Sequence, residues 1–135
     1  MALAADVSLV FGEQGINDLP VKASAQIYKG AAVGLSGGYA RGLVAADKFA
    51  GFALANVLGG ASDGLVRVPI QSRGLVTLAI ASLAVTNNGA LVYASADGTF
   101  TLTGTGNSHI GRVHRWIETG SGVIAFNAAI TNANI

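Results

Sequence analysis

Residues 89–113 read GALVYASADGTFTLTGTGNSHIGRV, and the fold turns on how this stretch is understood. It parses as strand, turn, strand, a Gly/Thr/Asn loop, then a further strand. Asn88-Gly89 and Asp97-Gly98 are turn dipeptides of the kind that join antiparallel strands. A weaker copy lies about sixty positions earlier: Gly30, Val33, Ser36, Gly38, Gly51 and Ala53 are echoed by Gly89, Val92, Ser95, Gly98, Gly111 and Val113. Glycine marks places where a backbone must turn or approach another closely. Matched glycine offsets therefore predict two similar β units in one chain.

The flanking sequence extends the pattern. Val21–Tyr28 alternates Val21, Ala23, Ala25 and Ile27 with Lys22, Ser24, Gln26 and Tyr28, the period of a half-buried strand. Ala31–Leu35 and Tyr39–Ala45 flank the turn Ser36-Gly37-Gly38. Residues 47–58 carry a rival helical spacing behind Asp47. Gly51 would cost such a helix about 1 kcal/mol relative to Ala, and its match to Gly111 favours a strand. Leu65–Ile70 and Gly74–Ile80 are expected to pair antiparallel, with Pro69 at an edge or strand end. Ala81–Asn87 reads as a connection with room for one helical turn. His109–Ile117 and Gly122–Ala128 form a last hairpin across Thr119-Gly120-Ser121. Strands at this spacing, with no convincing long helix, predict an all-β fold: a small antiparallel β-barrel or sandwich built of two pseudo-repeated units. The expected organisation is an extended N-terminal arm or first strand (1–20), a single β domain (21–128) and a short C-terminal tail (129–135).

Composition directs attention to surfaces. Only 11% of the 135 residues are charged, while 51% are hydrophobic and 19 are glycine. Ordinary soluble domains carry about 25% charged residues, so this chain is expected to cover much of its surface with other chains. Net charge is +1, which gives no electrostatic basis for nucleic-acid binding. There is no cysteine, and so no disulfide or thiolate metal site. No apolar run reaches about 18 residues. The N-terminal MALAADVSLVFG has no Lys or Arg before its apolar stretch, and Asp6 interrupts it, which argues against a signal peptide.

Chemical motifs are weak throughout. His109 and His114 are five positions apart, so strand alternation would point them to opposite faces. Ser108, His109 and Asp97 can be assembled into a triad on paper, without a nucleophile-elbow motif. Asp63, Asp97 and Glu118 stand beside turns, where acids are common for backbone reasons. Gly34-Leu35-Ser36-Gly37-Gly38 lacks the Lys-Ser/Thr ending of a phosphate loop. No catalytic, metal or cofactor site is read from these residues, and an enzyme is the least favoured class.

Interaction is the better expectation. Val7, Leu9 and Phe11 share one face if the N-terminal segment is extended. Arg112 and Arg115 bracket His114, beside the single tryptophan, Trp116, which is either an interface anchor or a core aromatic. The loop containing Thr103 and Asn107 is either a contact or an ordinary solvent loop.

The chain resembles the small capsid cement (head decoration) proteins of tailed bacteriophages. The resemblance covers roughly residues 30–128. It rests on the order and spacing of several pieces: Gly51-Phe52-Ala53-Leu54 entered through Ala45-Ala46-Asp47-Lys48; Leu65-Val66-Arg67-Val68; Arg73-Gly74-Leu75-Val76; Gly89-Ala90-Leu91-Val92-Tyr93 with Asp97-Gly98; Gly106-Asn107-Ser108-His109-Ile110-Gly111-Arg112-Val113; and Gly122-Val123-Ile124-Ala125-Phe126. It implies a virion protein, made in the host cytoplasm, that binds the outer surface of the head and bridges major capsid subunits. Such proteins are commonly homotrimers, with dimers also known. It carries over no catalytic residue; composition and the missing motifs give the further expectation of no cofactor and neither nucleic acid nor membrane as partner. Alternatives from other classes are a tail or baseplate component and a carbohydrate-binding β module.

Overall fold

The computed structural model describes Ala5 and residues 15–128. The chain is all-β. Two five-stranded antiparallel sheets pack together without closing into a barrel, the arrangement of a sandwich. The first sheet contains β1 (Ile16–Pro20), β3 (Ala32–Ser36), β4 (Tyr39–Gly42), β5 (Lys48–Ala53) and β7 (Arg67–Gln71). The second contains β8 (Arg73–Ala79), β9 (Leu91–Ala96), β10 (Thr99–Thr101), β11 (Ser108–Glu118) and β12 (Ser121–Asn127). A small ribbon pairs β2 (Gln26–Ile27) with β6 (Val57–Leu58), and a single 3-10 turn spans Val85–Asn87.

Each sheet repeats one topology. The first is ordered β1-β7-β5-β3-β4 and the second, read from its other end, β8-β12-β11-β9-β10. In both, the first strand pairs with the last, and a hairpin of the second and third flanks the fourth. The likeness extends to single hydrogen bonds. Gly30 N–H donates to Ala53 O and Ala53 N–H to Ala31 O; Gly89 N–H donates to Val113 O and Val113 N–H to Ala90 O. Just past the first strand of each unit, Val21 bridges Ala40 and Ile80 bridges Phe100, both in parallel.

The matched glycines have a steric cause. The β3–β5 ladder slips between Val33 and Gly34, as Gly51 and Phe49 face them; the β11–β9 ladder slips between His109 and Gly111, which face Tyr93 and Val92. These are β-bulges, each inserting one residue. A side chain at Gly51 would run into the carbonyl of Gln71, and one at Gly111 into that of Ala125. Gly51 also has φ 141°, a conformation few L residues adopt. The bulge changes which residues share a face. Phe49 and Phe52, three apart, both enter the core between the sheets, while Ala50 and Ala53 both enter a second core inside the first unit. Ile110 and Val113 repeat the pattern in the second unit.

Phe49, Phe52, Phe100 and Phe126 join the two sheets. Phe52 meets Phe126 edge-on at 4.8 Å between centroids, and Phe49 meets Phe52 at 5.5 Å. Polar links accompany them: Ala32 N–H donates to Asp97 O, Val44 forms an antiparallel bridge with Ala96, and the buried Ser108 hydroxyl donates to Asp47 O at 2.6 Å.

Several local expectations are corrected. Leu65–Ile70 and Gly74–Ile80 do not pair. β7 lies between β1 and β5, and β8 pairs with β12, because the chain crosses from one sheet to the other at Ser72. There Ser72 N–H donates to Gly15 O, and Ser72 O accepts Ala128 N–H. Val21–Tyr28 is strand only at Gln26–Ile27, since Ser24 takes a left-handed φ of 59° and its N–H reaches Gly60 O. Asn17, Asp18 and Pro20, residue types common in turns, lie in β1, paired with β7. Pro69 falls inside β7, where the β5 ladder reaches only Ile70 and Gln71; its carbonyl accepts Leu54 N–H.

Candidate interaction surfaces

A depression of about 380 Å³ is lined by Leu35, Gly37, Gly38, Ala46, Asp47 and Lys48. Its carboxylate is already committed: Asp47 accepts from Arg41 Nη2 at 2.8 Å, Arg41 Nε at 3.0 Å and the Val44 N–H at 3.0 Å. The Asp47 hydrogen bond raises the Arg41 pKa above its already high ordinary value, and the carboxylate charge adds to the rise, while partial burial opposes it. This cluster braces the loop between β4 and β5 and occupies the carboxylate, so that the exposed Lys48 is the other charged group lining the depression.

The residues of the paper triad are used separately. Ser108 is buried with its hydroxyl on Asp47 O. The next residue, His109, places Nε2–H on Gly111 O at 3.1 Å and its ring 5.3 Å from Tyr93. Asp97 sits in the β9–β10 turn, where its carbonyl accepts Ala32 N–H. Simple strand alternation does not govern His109 and His114, because β11 has register shifts between His109 and Gly111 and between Val113 and Arg115. Among the described residues, no group of three His, Cys, Asp or Glu side chains could hold a metal ion.

The candidate contact residues fall into two places. Thr103 and Asn107 lie in the β10–β11 loop, which is tied to itself: Asn107 Nδ2 donates to Thr103 O at 2.9 Å and Thr103 N–H to Thr101 Oγ1. Arg112, Arg115 and Trp116 lie on β11. Arg112 is exposed and reaches Gly89 O at 3.2 Å, and Arg115 is exposed. Trp116 is half-buried against the core between the sheets, with its indole N–H on Leu83 O and its backbone N–H on Asn88 Oδ1. Its side chain thus fills a core margin while remaining partly exposed, and Ile117, next in sequence, is exposed. Val7, Leu9 and Phe11 lie outside the described residues.

Other surface features were not singled out in the sequence. Ile16, Leu58, Leu65 and Leu75 are all large apolar side chains at least 58% exposed. Single exposed apolar residues are ordinary, and only strand pairing distinguishes those that stand on an open sheet edge. The chain matches no family model, no curated protein and no solved structure.

Proposed function

We propose that this chain is a structural virion protein of the capsid cement type, which binds the outer surface of a phage head, bridges neighbouring major capsid subunits and associates with copies of itself as a trimer or dimer. What carries the reading is the ordered series of glycine-marked strands, running from Gly51-Phe52-Ala53 to Gly122–Phe126, in which the chain resembles the cement proteins. The low charge content supports it independently: 11% charged residues suit a domain whose surface is shared among several contacts. Each contact need only be modest, since linked contacts on a shell add through effective concentration.

The test is binding to expanded heads stripped of accessory proteins, taken from the phage whose genome carries the chain. Saturable binding at a fixed ratio to major capsid protein, with heads made more resistant to heat, is the expected result. A protein that ignores these heads yet binds a glycan array, or sediments with tails, would replace the proposal with one of the alternatives.

A further inference from the structure

The two units end in unequal edges. β1, the outer strand of the first sheet, carries Asp18, whose carboxylate accepts from Arg67 at 2.8 Å, and ends in Pro20. A proline has no N–H to offer a further strand, and edge charges oppose extension of a sheet. β8 is its counterpart, with the sequence RGLVTLA. It has no proline and a single charge, at its first residue. Its ladder to β12 runs without a bulge from Arg73 opposite Asn127 to Ala79 opposite Ser121. Among the described residues no strand pairs along its other side; the Gln71 side chain donates to Arg73 O at one end, and the Ile80–Phe100 bridge adjoins the other. Leu75, 58% exposed, stands at this edge with Thr77 and Ala79 also exposed.

We propose that the outer edge of β8 pairs antiparallel with β8 of a second copy, about a two-fold axis at Val76, so that the two second sheets become one continuous sheet. The sequence of the edge selects this occupant. In the two-fold register Arg73 faces Ala79, Gly74 faces Leu78 and Leu75 faces Thr77. No like charges are opposed: the two Arg73 residues stand at opposite ends of the seam, about 20 Å apart at the strand rise, beyond the screening length of about 10 Å. The β1 edge is a poorer partner, since Asp18 and Pro20 interrupt it. A seam of seven residues is smaller than the roughly 1,200–2,000 Å² of a stable interface. The dimer is therefore reversible and concentration-dependent. The proposal stands or falls in solution, without reference to a capsid.

Sedimentation velocity on the full chain, from micromolar to millimolar, tests it. The dimer fraction rises with concentration in the wild type, weakens about tenfold or more in Leu75→Lys, and is unchanged in Asn17→Lys on β1. Because the chain has no cysteine, the register can be read by cross-linking. Leu75→Cys mixed with Thr77→Cys, oxidised with diamide, gives more disulfide dimer than either variant alone. A monomer at every concentration, a dimer that survives Leu75→Lys, or no advantage for the mixed cysteines overturns the proposal.

Discussion

The first unit and the second share a backbone and differ in how they fill it. In residues 16–71 the sheet curls around its own core of Val21, Ile27, Val33, Ala40, Ala50, Ala53, Val68 and Ile70, and the β2–β6 ribbon is inserted between the main strands. In residues 73–127 a 3-10 turn stands where β2 would be, and β11 reaches β12 through only Thr119 and Gly120. The second unit's apolar side chains share their core with Phe49 and Phe52 of the first. What both keep are the bulge, the hydrogen bonds around Gly30 and Gly89, and the left-handed residues Ser24 and Ser82 at φ 59° and 61°. Backbone geometry is thus the more tightly held property, because a bulge or turn admits few residues whereas a core accepts many apolar combinations.

The shared aromatic core is where this contrast breaks most severely. Phe126→Ala or Phe52→Ala is expected to lower unfolding free energy in urea by about 3–5 kcal/mol. The double variant should show a coupling of about 0.5–1.5 kcal/mol from the edge-on contact. Additive losses would mean that the two units do not communicate through these rings. Gly51→Ala and Gly111→Ala should each cost roughly 3 kcal/mol by forcing a methyl against backbone. The Gly51 variant should lose more, because its φ is also unfavourable; a neutral Gly111→Ala would end the equivalence of the bulges. Asp47→Ala removes the partner of Arg41 and a backbone cap, and about 2 kcal/mol is the expected loss. Ala46 and Gly106 occupy matching left-handed positions at φ 76° and 73°. Ala46→Gly should therefore stabilise, and Gly106→Ala destabilise, each by about 1 kcal/mol in thermal or chemical unfolding. The smallest effect belongs to the exposed pair on β1: Asp18→Asn should change stability by less than about 0.5 kcal/mol.

How much was legible follows from this contrast. Gly51 and Gly111 could be matched from sequence because the bulge excludes other residues and so leaves a mark at a fixed spacing. The all-β class followed from the same marks. The pairing of Leu65–Ile70 with Gly74–Ile80 was misjudged, since two adjacent strands look alike whether the chain turns back or crosses at Ser72 to another sheet. Val21–Tyr28 alternated convincingly, yet Ser24 turns the chain through a hydrogen bond to Gly60, a partner no local pattern reveals. At the candidate surfaces, Arg112, Arg115 and Trp116 were legible as unusual residues. The division of Trp116 between core and surface depends on Leu83 and Asn88, which reach it from a distant turn. Ser108, a triad member only on paper, is a buried tie between units, a role set by where Asp47 O lies.

Ser72 has one further consequence. It is hydrogen-bonded to Gly15 on one side and Ala128 on the other, so the two ends of the described domain meet at the crossover between units. Sewing residue 128 to residue 15 with a short flexible linker and opening new termini at Asp97-Gly98 would give a circularly permuted chain that keeps every strand ladder. The order in which the units are synthesised is therefore separable from the architecture they build.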